Sequence, residues 1–222
     1  FTALIHGYNH PDVTAAAIDQ VPLGTTFGAP TLSEIELADL LVERLPAVEQ
    51  VRFANSGTEG VMMAIKAARA FTERPKIVKI EGAYHGSYDF AEVSLDSSPA
   101  NWGDMPASTP YARGTPRGVL DDVIAVPFND IDAMEAALRG RDVAAVIMET
   151  IPATYGFPLP VPGYLEQVKA LCERYGALYI ADFGSMVVAE EPKPIAGTGV
   201  IWRIVREDGR SSGPPAGLSA PQ

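Results

Sequence analysis

The sequence predicts an α/β fold of three layers, αβα, in which helices cover a mostly parallel β-sheet. Two observations carry this. From residue 51 to 182, short apolar runs alternate with stretches of helical periodicity, and strands joined by helical crossovers lie parallel in one sheet. Several of these runs also end on a polar residue or glycine, where open parallel sheets bind their ligands.

The elements follow in order. Residues 1–30 are punctuated by Gly and Pro ("HGYNHP", "GTTFGAP") around one short apolar pattern at 12–21. In "TLSEIELADLLVERLPAV", Ile35, Leu37, Leu40, Leu41 and Leu45 recur at helical spacing. Ser33 with Glu36 fits a capping box at its start. "VRFAN" (51–55) reads as a strand and 57–72 as a helix. "KIVKIEG" (76–82) is a strand, followed by a Pro/Gly/Ser-rich connection over about 94–118 that is too long for an ordinary loop. Strands at 122–128, 142–150 and 177–182 then alternate with helices at 130–140, capped by Asp130, and 162–176, with Pro162 at its start. Asn55, Gly82, Glu149 and Asp182 fall at strand ends in this reading.

The chain divides into an N-terminal segment with a helix (1–50), a partial large domain (51–182) and a tail (183–222) of poorly ordering Gly/Pro/Ser composition. With 222 residues, 47% of them hydrophobic, it can bury a sizeable core. The net charge of −11 argues against a nucleic-acid partner, which calls for a basic face. Cys172 is the lone cysteine, so no internal disulfide forms, and a reducing cytoplasm is expected. No apolar stretch is long enough to span a membrane, and no signal peptide is visible.

Asp182 opens the letters D-F-G, and "AIK" stands at 64–66, both familiar from protein kinases. A kinase needs that lysine on a strand and a catalytic H-R-D loop. Lys66 lies in a helical stretch, and the three histidines are at 6, 10 and 85. The kinase reading fails on context.

"NSGTEGVMMAIKAARAF" (55–71) leaves a strand and opens a helix, so Ser56, Gly57 and Thr58 occupy its first turn. Backbone N–H groups there lack partners and the helix dipole is positive, an arrangement that binds phosphate. The alternative is that Asn55 or Ser56 only caps the helix. "IEGAYHGSYD" (80–89) presents Tyr84-His85-Gly86 at the next strand end, where Tyr84 could stack on a planar ring and Gly86 leave it room. A turn aromatic packed on the core is the alternative there. Phosphate donors, an aromatic plate and the Asp182 carboxylate together fit a planar, phosphorylated heterocycle with a protonatable nitrogen. Pyridoxal 5′-phosphate is such a molecule, and Asp182 would keep its pyridine nitrogen protonated.

"FANSGTEG", "KIVKIEGAYHGSYD", "VAAVIMET", "CERYGALYIAD" and the upstream "TTFGAPTLSEIELA" resemble, in that order along the chain, the class-III pyridoxal-phosphate aminotransferases. The glutamate-1-semialdehyde 2,1-aminomutase-like branch is the nearest flavour. The resemblance runs from about residue 5 to 182. It implies part of a fold-type-I large domain and amino-group transfer through a Schiff base with the cofactor. It implies a small-molecule amino donor and acceptor, and a homodimer with sites at the subunit interface. By position, Ser56, Gly57 and Thr58 would hold the phosphate. Tyr84 would stack on the ring with His85 beside it, Asp182 would pair with the pyridinium, and Glu149 would match the start of the family's Glu-Pro motif.

The departures are specific. Thr150 follows Glu149 where the family has Pro, Thr154 stands where the branch tends to carry Asn, and Gly60 replaces an Ala, a loss of ~1 kcal/mol in helix propensity. The family continues its strand-end Asp as D-E-V; here Phe183-Gly184 follow. The Schiff-base lysine should lie a few tens of residues beyond Asp182 on a further strand, yet Lys193, between prolines, is the only lysine there. Lys66, Lys76, Lys79 and Lys169 lie in segments the family does not use for it. No catalytic lysine is therefore assigned. A truncated or frame-shifted reading frame is expected, and a cofactor- or phosphate-binding remnant without catalysis is the alternative function. An unrelated serine hydrolase would want a G-x-S-x-G elbow, which is absent.

Overall fold

The four most apolar runs pair into one parallel sheet: β1 (Lys76–Ile80), β2 (Val123–Val126), β3 (Val143–Glu149) and β4 (Leu178–Asp182), in the order β2-β1-β3-β4. The computed structural model describes residues 6–96, 100, 107–154 and 156–182. The tail from 183, part of the 94–118 connection, and Phe183, Gly184 and Lys193 lie outside the described residues. The helices are α1 (Pro11–Gln20), α2 (Leu32–Arg44), α3 (Gly57–Thr72), α4 (Asp89–Glu92), α5 (Arg117–Asp121), α6 (Ile131–Leu138) and α7 (Tyr164–Tyr175).

All of β3 is buried, as a central strand covered on both faces should be. Because strand side chains alternate, Val78, Ile80, Val126, Val146 and Met148 meet α6 and α7 through Met134, Leu138, Val168 and Cys172. Ile77, Val123, Ala145, Ile147 and Ile180 take the other face, with Val61, Ile65 and Ala68 of α3, Ala91 of α4 and Val119 of α5. The expected αβα layering is what forms. Register sets the strand ends side by side: Ile80 pairs with Val126, Lys79 with Ile147, and Glu149 with Asp182.

Local chemistry fixes the helix ends. Ser56 is the N-cap of α3 and accepts from the Glu59 N–H at 3.2 Å. Glu59 in turn accepts from the Asn55 N–H at 2.8 Å, a reciprocal pair like a capping box. Asp130 caps α6 through the Ala133 N–H, as expected. Gly176 ends α7 at φ 70°, beside the Arg74 guanidinium, which bonds the carbonyls of Val143, Tyr175 and Gly176.

Three local expectations change. Residues 51–55 form no strand, because an extended run becomes one only by pairing its backbone, and no partner strand lies beside it among the described residues. Asn55 is therefore not at a strand end. The cap of α2 is Thr31, accepting from the Glu34 N–H at 3.3 Å; the T-x-x-E two residues upstream wins over Ser33 and Glu36. Helix α7 starts at Gly163, its N-cap at φ 83°, rather than on Pro162. Cys172 is a buried free thiol, pushed up to about 12 by burial and so an inert packing group.

Candidate functional site

Five tethers fix the turn after β1, one of them from β1 itself and the others from the 149–154 segment, the end of β4 and the start of α3. The Thr154 hydroxyl donates to the Gly82 carbonyl at 2.7 Å. Lys79 Nζ donates to the Ala83 carbonyl at 3.0 Å. The Tyr84 N–H faces the Glu149 carboxylate. His85 Nδ1 lies 2.7 Å from Asp182 Oδ2. The Ser87 N–H donates to Thr58 Oγ1 at 3.0 Å. Residues separated by up to 97 positions in sequence thus meet at one end of the sheet.

His85 is fully buried, and burial holds its imidazole below the ordinary value while the Asp182 carboxylate opposes that. A neutral ring donating from Nδ1 to the carboxylate satisfies both, which leaves Nε2 as the unprotonated nitrogen. Nε2 has no hydrogen-bond partner among the described residues. Asp182 itself is 7% exposed at the edge strand. Beside it in register, Glu149 is pushed up to about 7, first by burial and then by the Asp182 charge, with the Ala153 and Tyr84 amides opposing. Its Oε2 accepts from the Ala153 N–H at 3.1 Å, and its Oε1 is buried without a partner. The Asp182 charge thus adds to burial in disfavouring the ionised form of Glu149.

Tyr84 is exposed, 47% accessible between buried Ala83 and His85. Its ring does not pack into the core, so the turn-aromatic alternative is not what forms. Gly86 has a different reason from the one expected. At φ 83°, a Cβ there would meet Thr58 Oγ1 at 2.6 Å and Thr58 Cα at 2.8 Å. The space at Gly86 is filled by the start of α3, not left for a ring. Ser56 and Gly57 are exposed at that helix start, and a Cβ on Gly57 would meet nothing within 4 Å. The Ser56, Gly57 and Thr58 amides have no intrahelical acceptor. Capping and anion binding are compatible at Ser56, since its Oγ accepts from Glu59 and its own proton is free to donate.

Sequence reasoning set Lys79 aside and did not foresee the Thr154–Gly82 and Ala153–Glu149 bonds. The signal for Lys79 was its place between Val78 and Ile80 in a run that reads as a buried strand, where lysine is rare.

The family model for aminotransferase class-III matches residues 1–183. The chain belongs to the class-III aminotransferases. This family works with pyridoxal 5′-phosphate. A glutamate-1-semialdehyde 2,1-aminomutase of Symbiobacterium thermophilum is 46% identical over 184 residues, covering 82% of this chain and 41% of that protein. An omega-transaminase structure from Sphaerobacter thermophilus is 49% identical with a TM-score of 0.76, covering 82% of this chain and 42% of that one. A transaminase with pyridoxal phosphate bound is 41% identical with a TM-score of 0.75, over the same shares. The class-III chain described here therefore spans about two-fifths of the length of the relatives it matches. Among its described residues no helix is long and apolar enough to cross a membrane.

Proposed function

We propose that this chain binds pyridoxal 5′-phosphate across the carboxyl ends of β1, β3 and β4, as the cofactor-holding part of an amino-group transferase. The observation that carries this is the buried His85–Asp182 pair at 2.7 Å, tied through Ser87 and Thr58 to the free amides of a helix start. The donor set fits the group: unpaired amides for a phosphate, an exposed tyrosine face for a ring, and a carboxylate for a protonated nitrogen. When bound, the cofactor supplies an electron sink for amino transfer between small-molecule donor and acceptor.

The chain's own residues have separable tasks. Ser56, Gly57 and Thr58 bind the phosphate through backbone N–H groups and hydroxyls at the positive end of α3. Tyr84 orients the ring by stacking. Asp182 holds a proton at the ring nitrogen, and His85 fixes that carboxylate by donating from Nδ1. Glu149 anchors the 149–153 turn by accepting from the Ala153 N–H.

Among the described residues, the lysines favour a holding role over a reacting one. Lys66 is exposed on α3, Lys76 pairs with Asp142 at 2.7 Å at the start of β1, and Lys169 pairs with Glu173 on α7. Lys79 is buried on two backbone carbonyls. A homodimer fits the exposed apolar residues of α1 and α2, among them Ile18, Leu32 and Ile35. The single, unpaired Cys172 fits a reducing cytoplasm.

The test is saturable quenching of the chain's intrinsic fluorescence by pyridoxal 5′-phosphate. Asp182→Ala and Tyr84→Ala should each weaken binding at least ~10-fold, the scale of a lost charge-assisted hydrogen bond or stacked ring. Unchanged affinity in both variants would sink the reading.

A further inference from the structure

We propose that Lys79 is a positioning residue of the cofactor site: its buried ammonium anchors the turn bearing Tyr84 and His85 through the Ala83 carbonyl, and supplies a fixed positive charge beside Glu149 and His85. The term cofactor site rests on the function proposed above; the anchoring and the charge do not.

Strand alternation puts Lys79 on the same face as Ile77, towards α3. Ile147, its register partner on β3, belongs to that face, and Glu149 lies two residues further along it. Asp182 follows on β4, beside Glu149 and two residues beyond Ile180. Lys79 therefore stands one pleat beneath the carboxylates of the site.

Its side chain is 0% exposed. Lysines usually lay their stems along apolar surface and keep the ammonium in water. This one ends inside, donating to the Ile80 carbonyl at 3.2 Å and the Ala83 carbonyl at 3.0 Å. Ala83 directly precedes Tyr84 and His85, so an ammonium bonded to its carbonyl fixes the turn within two residues of both.

The groups that sense its charge are Glu81, directly after its own strand, Glu149 on β3 and the His85 ring on the turn. Helix α3 adds none: Glu59 turns to the Asn55 amide, Lys66 is exposed, and Arg69 bonds the Pro75 carbonyl. Burial pushes the Lys79 amine down to about 8, with Glu81 and Glu149 opposing, so it stays largely charged at neutral pH. A buried carboxylate site without that countercharge would hold uncompensated negative charge. Full burial and two carbonyl acceptors also make Lys79 a fixed charge and not a nucleophile.

The test uses the 222-residue chain without added pyridoxal phosphate. In Lys79→Met, which keeps the apolar stem, the NMR titration midpoint of the His85 ring should move up by about half a pH unit or more, because a nearby positive charge has gone. A folded variant with an unmoved midpoint would overturn the proposal, since a packing role alone does not shift it. Glu149→Gln probes the same coupling from the other side. The Lys79 Cε midpoint should fall when the opposing carboxylate is removed, and a midpoint that stays put refutes the coupling. If Lys79→Met does not fold, the Glu149→Gln titration decides alone. Added pyridoxal 5′-phosphate then separates the two claims. Lys79→Met should bind it at least ~10-fold more weakly than the native chain, the scale of one charge-assisted hydrogen bond. A native chain that fails to bind it counts against the function proposed above and leaves the titration result standing.

Discussion

Helices α2 and α3 begin alike and end differently. Each opens on a hydroxyl cap three residues before a glutamate amide, and each carries apolar residues at helical spacing. Helix α3 buries Gly60, Val61, Ile65 and Ala68 against the sheet, whereas α2 has no buried residue and leaves Leu32, Ile35 and Leu37 exposed. Periodicity therefore states which face a helix has to hide, and topology supplies what hides it. Helix α3 finds β3 and β4 beneath it; α2 has no such partner among the described residues.

The strongest way to break this contrast is to cut one apolar side chain from each helix. Ile65→Ala, at 0% exposure, should cost about 2–5 kcal/mol in urea unfolding. Ile35→Ala, at 50% exposure, should stay within about 0.5 kcal/mol. A large loss at Ile35 that grows on dilution would mean that α2 is covered by a second copy of the chain.

The second test concerns the charges that the sheet region buries and the N-terminal region does not. Glu149 has a folded value of about 7, above its unfolded one. Its contribution to stability is complete below the ordinary carboxyl range and is lost as pH rises through about 7. Lys79 is depressed to about 8, so its contribution is present above the ordinary lysine range and is lost as pH falls through about 8. Unfolding free energy measured from pH 4 to 7 should therefore decline by on the order of 2–3 kcal/mol from Glu149 alone. Glu149→Gln should flatten that segment, and an unaltered slope would show that the carboxyl titrates normally.

Much of the sheet region was legible in sequence because its elements are set by short-range signals. The apolar runs, the Asp130 cap and the 57–72 periodicity each act within a few residues. The candidate site residues stand on signals of the same short range: "NSGTEG", "AYHG" and the aspartate ending "ALYIAD" sit at or beside element ends. What was not legible depends on partners far along the chain. Residues 51–55 have the composition of a strand but no neighbour to pair with. Gly86 is glycine because Thr58, distant in sequence, comes within 2.8 Å of where its Cβ would be. Lys79 could be seen as an odd residue in a strand, but its acceptors required the turn to be folded. Of Glu149, the sequence showed a strand end; that its carboxyl turns back to the Ala153 amide depends on the loop conformation.

The smallest effects separate the two helices most sensitively. Ser56→Ala and Thr31→Ala remove equivalent caps, with Oγ-to-amide distances of 3.2 and 3.3 Å, and each cap is intrinsically worth ~1 kcal/mol to its helix. Helix α3 cannot fray without uncovering Val61 and Ile65, so its cap is coupled to the whole core. Ser56→Ala should lower global stability by about 1 kcal/mol, and exchange of the Glu59 amide should quicken. Helix α2 can fray alone, because opening it uncovers nothing buried. Thr31→Ala should therefore quicken exchange at Glu34 while the global unfolding midpoint stays in place. Equal global losses from the two caps would mean that α2 folds as one cooperative unit with the sheet, and the contrast between the two helices would fail.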